Sequence, residues 1–474
     1  MMRKWLIHGC VLAAGICVAS SSMAQSNERS SAVRAEHAAL ANDDDAAMER
    51  LDQIRAQTLQ RLENALPLRL EDALHIALSD SPTLAIREAE VRIAETRADS
   101  TKSAYRPTIG ISAGIELNTG SGYVAGSSQL SDTQGRTTAT SLNASINASQ
   151  LIYDFGSHKA RRRSAAATIR GAMADQEQNL QDLRTTIMEQ YLRAGAAREK
   201  LLVAQHAQRA EAQRAEQIEA YVKVGQRPKI DRATARANVA NATAQIIQAS
   251  TDYDLAIYDL LATMGVEDSR ELNIAWVDVL TEELDTLDTE TLRTQALTQR
   301  GEFRSLSANL EAAEANLKET QSQYLPTLNA VAGVNESLLI GKTGRWNAYI
   351  GARLNWDLYR GGQVQFQKRE LEAQRDRIAV EEKALLVELV QSIQRAQRKI
   401  LGAKALLDTR QIVLTNAAKQ LQLAEGRYET GLGNIVELSD AQLAYTEAQF
   451  DQIDAALQLA LARTDLISAV AGWQ

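Results

Sequence analysis

The run Pro107-Thr-Ile-Gly-Ile-Ser-Ala-Gly-Ile-Glu-Leu-Asn118 decides the fold, because Ile109, Ile111, Ala113, Ile115 and Leu117 alternate with Gly110, Ser112, Gly114, Glu116 and Asn118. A period of two belongs to a β-strand, whose side chains point to opposite faces in turn. This strand therefore has one aliphatic face and one polar face. A Gly/Ser-rich loop from Thr119 to Arg136 leads to a second alternation, in which Leu142, Ala144, Ile146 and Ala148 oppose Ser141, Asn143, Ser145, Asn147 and Ser149. Together the two runs make a hairpin. After Pro326 the pattern starts again with Leu328, Ala330, Ala332 and Val334. It returns through Trp346, Ala348, Ile350, Ala352, Leu354, Trp356 and Leu358 against Asn347, Gly351, Arg353, Asn355 and Asp357. Four strands are expected, at about 107–119, 137–155, 326–340 and 344–359.

Helices surround these strands. The five prolines (Pro67, Pro82, Pro107, Pro228 and Pro326) all fall at breaks in pattern, and the proline-free intervals 157–223 and 362–429 are rich in Ala, Gln, Glu, Arg and Leu. Those residues have the best helix propensity, and proline would break a helix interior. In the first interval Ile169, Met173, Leu180, Leu183, Ile187, Tyr191, Ala194 and Leu201 form one seam at coiled-coil spacing. Each helix would be about 100 Å long at 1.5 Å per residue, over three times a bilayer's hydrocarbon core. Such helices are too long to be membrane spans.

The chain reads as two tandem copies of this arrangement. Ile152-Tyr153-Asp154-Phe155-Gly156 matches Leu358-Tyr359-Arg360-Gly361-Gly362 at an offset of 206, and Gly225 matches Gly431 at the same offset. Tyr105 and Pro107 match Tyr324 and Pro326 at 219, so the first hairpin has the longer loop. The first copy is expected over 67–265 with a tip turn at 224–229, and the second over 291–474 with a tip turn at 430–435. Between them, 266–290 reads as a mixed connector in which Ile274, Trp276 and Val279 are the residues able to pack.

At the N-terminus, Arg3 and Lys4 precede an apolar run that ends at Ser22-Met23-Ala24, which is the pattern of a signal peptide over 1–24 cut after Ala24. Neither Cys10 nor Cys17 follows a good lipid-attachment sequence, and both leave with the leader. Disulfides and thiolate metal sites are then excluded. Residues 25–66 form an extension that reads either as an amphipathic helix behind Asn42-Asp43-Asp44-Asp45 or as a mobile tail. Of 52 Lys and Arg, two leave with the leader, so the mature chain opposes 60 acidic groups with a net charge of −10. Nucleic acid is not an expected partner.

Strands reside in lipid only when every backbone donor and acceptor is paired, which requires a closed barrel. Membrane barrels start at about eight strands, so four must be pooled with those of other copies, giving about eight in a dimer or twelve in a trimer. The aliphatic and aromatic face would meet lipid and the Ser/Asn/Gly face a watery lumen. Trp346, Tyr349, Trp356 and Tyr359 are candidates for an interfacial girdle. A single period-two run would more simply be a sheet on a soluble core. Four runs, in two copies flanked by helices of such length, favour the barrel.

From Leu68 to Gly472 the sequence resembles the TolC family of outer-membrane efflux proteins. The resemblance is carried by Leu70-Glu71-Asp72-Ala73-Leu74-His75-Ile76-Ala77-Leu78 with Ser81-Pro82 and by Leu292 to Arg300, where Gly301 replaces the family's proline. It is carried also by the hairpin exits Tyr153–Gly156 and Tyr359–Gly362, by the turns Tyr221–Gly225 and Tyr428–Leu432, and by Val436–Gln442. The resemblance implies a mainly α chain with a membrane β-barrel: a homotrimer with a twelve-strand barrel in outer-membrane lipid and an α-helical periplasmic tunnel. It further implies a periplasmic adaptor (membrane fusion) protein and an inner-membrane pump as partners in efflux or type I secretion. By motif, the family's acidic constriction falls on Glu437 and Asp440; the plainer alternative is that Glu437 only caps a helix N-terminus, where an acid is favoured anyway. The latch falls on Asp231 and Tyr428, with Gly433 where a latch arginine is expected and Arg227 or Arg232 as substitutes. Gly225 and Gly431 suit the tip turns by taking positive φ, and the resemblance places adaptor contact there.

Catalytic readings find no support. Gly341-Lys342-Thr343 resembles the end of a phosphate loop, but Glu336 occupies the position of its first glycine. His37, His75, His158 and His206 show no metal-ligand spacing, so neither cofactor, metal nor enzyme activity is expected. Lys159-Ala160-Arg161-Arg162-Arg163, after the barrel exit, reads as a solvated basic run, with contact to anionic headgroups as the alternative. The alternative function is a trimeric coiled-coil adhesin or spacer with a barrel anchor. That class places its barrel segment at one end, whereas hairpins here interrupt the helices twice. Cargo is not legible.

Overall fold

The structure, a computed structural model, describes Gln53 and residues 65–120, 137–267, 272–277, 287–339 and 344–470. The leader with its cleavage site, nearly all of the 25–66 extension, parts of the connector and Gly341-Lys342-Thr343 lie outside the described residues. In chain order the elements are β1 (Leu66–Leu68), α1 (Leu70–Asp80), α2 (Pro82–Thr101), β2 (Thr108–Gly120), β3 (Thr137–Tyr153), α3 (Ser157–Lys223) and α4 (Lys229–Met264). They continue with β4 (Leu272–Ile274), α5 (Thr289–Gln299), α6 (Gly301–Ser322), β5 (Thr327–Leu339), β6 (Arg345–Asn355), α7 (Gln363–Glu429) and α8 (Ile435–Val470). The order short helix, longer helix, hairpin, long helix, helix thus occurs twice. The long helices α3 and α7 have 67 residues each, and α4 and α8 have 36 each. No helix among the described residues is long and apolar enough to cross a membrane.

The chain forms two compact units. The first takes its described residues from 65–74, 187–277 and 401–461. Its helices bury Tyr191, Leu192, Leu201, Ile246, Leu260 and Met264. Against them lies a two-stranded parallel pair, β1 with β4, in the register Leu66↔Leu272 to Leu68↔Ile274. So short a pair needs outside partners, and two buried tyrosines supply them. Tyr191 Oη donates to the Leu68 carbonyl at 3.0 Å. Tyr253 Oη donates to the Leu272 carbonyl at 2.6 Å and accepts from Ile274 N at 3.3 Å. Ile274, in the connector, is fully buried here.

The second unit takes its described residues from 75–186, 287–400 and 462–470 and contains an antiparallel sheet in the order β2-β3-β5-β6. Registers put Ile111, Ile146, Val334 and Ala348 in one cross-strand row, and Ile109, Ala148, Ala332 and Ile350 in the next. This apolar face is open: Ile111 is 78% exposed and Ile350 90%. The opposite face is knit by polar bonds, Ser112 Oγ to Ser145 Oγ at 2.7 Å, Asn147 Nδ2 to Ser145 Oγ at 2.9 Å and Ser337 Oγ to Asn143 Oδ1 at 2.8 Å. Within the chain, β2 and β6 each pair on one side only.

Each hairpin is tied to its helices in a related way. Gln150 Nε2 donates to the Tyr105 carbonyl, and Trp356 Nε1, at the position 206 residues on, donates to the Tyr324 carbonyl, both at 3.1 Å. The strand-to-helix turns take positive φ at Phe155 (51°) and Gly156 (93°) and again at Gly361 (60°) and Gly362 (82°). Holding a bulky residue such as Phe155 in that region is costly. Asp154 compensates by accepting from Gly156 N at 3.2 Å, His158 N at 2.6 Å and Tyr105 Oη at 3.3 Å. The matching position is Arg360, exposed and paired with Asp357.

Gly301, which stands where the family has proline, starts α6 in close contact with α3. A Cβ there would fall 2.4 Å from the Ala174 carbonyl oxygen. Its N–H donates to Gln178 Oε1 at 3.1 Å, a bond proline cannot make. In the basic run, Arg161 pairs with Glu319 at 2.6 Å and Arg163 with Glu311 at 2.9 Å, so these two residues join α3 to α6 where the sequence suggested simple solvation.

Candidate functional site: the helical tips

In the first unit α3 turns into α4 and α7 into α8. The two turns have one geometry. Gly225 and Gly431 each have φ of 78°. Gly225 N donates to Val222 O and Gln226 N to Tyr221 O; Gly431 N donates to Tyr428 O and Leu432 N to Arg427 O, all within 2.9–3.1 Å. These are the paired bonds of a Schellman cap, in which a left-handed glycine satisfies the last carbonyls of a helix. The next helices start at equivalent positions but differ in their caps: Pro228 stands at the N-cap of α4 without a side-chain bond, whereas Asn434 caps α8 by accepting Glu437 N on Oδ1 at 2.8 Å. Asp231 and Glu437, 206 residues apart, occupy the same place in their first turns, where the helix dipole favours an acid.

Their side chains then diverge. Asp231 is buried (6% exposed) and accepts a hydrogen bond from Tyr428 Oη at 3.3 Å, across from the first turn to the second. Tyr428 is also buried, at 5%, in an apolar cluster with Ile218, Ala235, Ala424, Ile435, Leu438 and Ala441. Burial, and then the Asp231 charge, push its hydroxyl pKa above the usual tyrosine value, so it remains a neutral donor. Arg227 lies over the Tyr428 ring, 4.2 Å from guanidinium carbon to ring centroid, and donates to the Tyr428 carbonyl. Of the two arginines considered as substitutes, Arg227 makes the contact, while Arg232 is exposed. Gly433 has little room for a side chain, since a Cβ there would lie 3.2 Å from backbone atoms of Arg427 and Tyr428.

Glu437 and Asp440 are both exposed, one helical turn apart on α8. Glu437 is not isolated, because Arg427 Nε lies 3.0 Å from its Oε1. Sequence reasoning missed this partner; the available signal was a cation in the last turn of α7 facing an acid in the first turn of α8. It missed also a polar network further up the same helices. There Arg214 donates to Glu211 and Glu425, both at 2.8 Å, and to Gln442 Oε1 at 3.3 Å. Burial raises the Glu211 pKa against the pull of Arg214.

The four girdle candidates are not on one surface. Trp346 is on the apolar face of the sheet, in the row of Ala113 and Glu336, and is exposed. Tyr349 is on the polar face, where its hydroxyl donates to Asn147 Oδ1 at 3.0 Å and its ring covers Gly333, so it does not stand with Trp346. Alternation requires this, since positions separated by an odd number face opposite ways. Trp356 and Tyr359 follow the end of β6 and are exposed. Among the described residues no group of His, Cys, Asp and Glu could hold a metal.

Comparison with known proteins agrees with this architecture. The model of the family described as outer membrane efflux protein matches residues 73–266 and 292–472. The pyoverdine export outer membrane protein OpmQ of Pseudomonas aeruginosa is 25% identical over 405 residues, covering 81% of each chain. Among solved structures, the outer membrane protein VceC of Vibrio cholerae superposes with a TM-score of 0.68 at 18% identity, covering 85% of this chain and 95% of the other. The CmeC outer membrane channel of Campylobacter jejuni gives 0.70 at 17% identity, covering 85% of each. With its matched residues spanning both copies of the repeat, the chain belongs to the outer membrane efflux protein family, whose members are channels and not enzymes.

Proposed function

We propose that this protein is the outer-membrane duct of a tripartite efflux or type I secretion system, a homotrimer that conducts passively what an inner-membrane pump and periplasmic adaptor deliver. The observation that carries this reading is the four-stranded sheet with an open apolar face and two half-paired edges. A lone sheet of that kind cannot satisfy its edges in lipid. Three copies joined β6 to β2 would close about twelve strands, within the range of membrane barrels. From Trp346 to Trp356 the chain rises about 33 Å, or about 25 Å at the usual tilt, which equals the apolar band of such barrels. Trp346, Trp356 and Tyr359 then mark the interfaces, and the polar face with Tyr349 lines the lumen. Val380, Val387 and Leu401 are exposed on α7 at spacings of seven and fourteen, the repeat of a helix awaiting a coiled-coil neighbour.

At the tips, Glu437 and Asp440 from three copies set six carboxylates around a throat that favours cations. Asp231, Tyr428 and Arg227 act as the latch that holds the tips closed. Gly225 and Gly431 permit the turns, whose exposed Val224, Ile230, Leu432 and Val436 offer an apolar surface to the adaptor. Residues 1–24 export the chain and are removed after Ala24. The relative's role in pyoverdine export makes secreted siderophores the first cargo to test, although the pump sets the choice. Purified trimer in planar bilayers is expected to form ion-conducting pores, and double substitution Glu437→Ala with Asp440→Ala to raise conductance and weaken cation selectivity. A detergent-stable oligomer without conductance would remove the duct reading.

A further inference from the structure

Arg427 lies in the last turn of α7 and Glu437 in the first turn of α8, so the Schellman turn folds a guanidinium back onto an acid, Nε to Oε1 3.0 Å. Both side chains are about half exposed, 55% and 44%, at the edge of a groove between the two helices that Lys419 also lines. Such a pair adds at most about 1 kcal/mol to stability. Its weight lies in charge placement. Asp440, one turn further on, makes no ion pair among the described residues.

The geometry points to Arg427 as a selectivity-determining residue: its guanidinium cancels the Glu437 charge, so that Asp440 carries the cation preference of the throat. This rests on the reading of Glu437 and Asp440 as the constriction. In a trimer the six carboxylates are then offset by three arginines, and the throat has half the negative charge that its acids alone would give. A residue that bound Glu437 merely to brace the turn would leave permeation unchanged when replaced. Gly433 contributes to the arrangement, because its N–H joins that of Leu432 on the Arg427 carbonyl, at 2.8 and 2.9 Å, and fixes the arginine's backbone beside α8.

Reversal potentials of single trimers under a KCl gradient near 0.1 M, where the Debye length is about 10 Å, would test this. Arg427→Gln is expected to raise the cation-to-anion permeability ratio at least about two-fold, since it uncovers three carboxylates. Arg427→Gln combined with Glu437→Gln should return the ratio to near wild type, and Arg427→Lys should leave it there. Asp440→Asn should lower it. If Arg427→Gln matches wild type while Asp440→Asn lowers the ratio, the constriction stands and the role of Arg427 falls. If Glu437→Gln, Asp440→Asn and Arg427→Gln all match wild type, the constriction is elsewhere and this inference falls with it. Arg427 is more than half exposed, so its replacement leaves the buried cluster around Tyr428 intact, and trimer yield by gel filtration provides the folding control.

Discussion

Replacing Tyr428 by phenylalanine deletes one oxygen from the buried contact between the two tips and preserves the ring in its apolar cluster. The lost bond runs from a neutral hydroxyl to the buried carboxyl of Asp231 at 3.3 Å. Hydrogen bonds to charged groups contribute roughly 1.5–3 kcal/mol, and the length of this one puts it at the lower end. About 1.5 kcal/mol per protomer is roughly a tenfold shift in the closed-to-open ratio, if the bond is present only with the tips together. Arg227→Ala removes more, because the same side chain stacks on the ring and donates to the Tyr428 carbonyl. The stacking alone is worth about 0.5–2 kcal/mol. The two changes share Tyr428, so their sum will fall short of additivity.

The assay is single-channel recording of purified trimers in planar bilayers, with wild type, Tyr428→Phe, Arg227→Ala and the double variant compared at one voltage and salt. Open probability or mean conductance should rise in that order, with the double variant highest. Thermal melting of each oligomer separates opening from unfolding. Wild-type conductance in a folded Arg227→Ala, Tyr428→Phe trimer would refute the latch assignment, since that variant retains neither the hydroxyl nor the cation over the ring.

On the sheet, Ile111→Arg places a charge in the middle of the open apolar face and should cost about 2–4 kcal/mol per protomer in a bilayer; oligomer yield in detergent and bilayer insertion should both fall. Gly301→Pro should lower the melting temperature, since it drives atoms into the Ala174 carbonyl and orphans Gln178; overpacking costs about 1–3 kcal/mol and an unsatisfied buried amide a similar amount. Gly301→Ala, which preserves the N–H, should be milder. His158 is buried, with neither ring nitrogen bonded and Tyr105 edge-on at 4.4 Å, and burial lowers its pKa from the usual 6.5. A depressed histidine contributes stability that is complete above pH 6.5 and is lost as pH falls below it, so His158→Phe should flatten the acid side of a melting-temperature profile; an unchanged profile would show that His158 does not titrate on unfolding.

What the sequence disclosed depended on how local the physical cause was. Strand alternation follows from pleat geometry, and the lengths of α3 and α7 follow from the absence of proline, so both were legible from composition and period alone. Even there the pattern stops where chemistry intrudes. The alternation in β5 breaks at Glu336, which shares the apolar face beside Trp346, and Tyr349 reads as a girdle residue until the register puts it over Gly333. Long-range pairings were not legible. Nothing near Arg214 in sequence announces Glu425, because that pair forms across helices whose relative rotation is set by packing.

The tips show how a duplicated element acquires an asymmetric task. Both turns have the same glycine conformation and the same capping bonds, and an acid stands at the same place after each. Position 227 carries arginine where its counterpart 433 carries glycine, and position 222 carries valine where its counterpart 428 carries tyrosine. The first turn therefore holds both groups that grip the ring, Asp231 from below the hydroxyl and Arg227 from above the face, while the second turn presents the ring itself. Because Tyr428 is gripped by the first turn, the second turn's own acid, Glu437, has no buried donor to engage and stays at the surface, where Arg427 meets it. One duplication thus yields a buried acid and an exposed acid at equivalent places, and the differences at 222/428 and 227/433 give only the first a tyrosine hydroxyl to accept from.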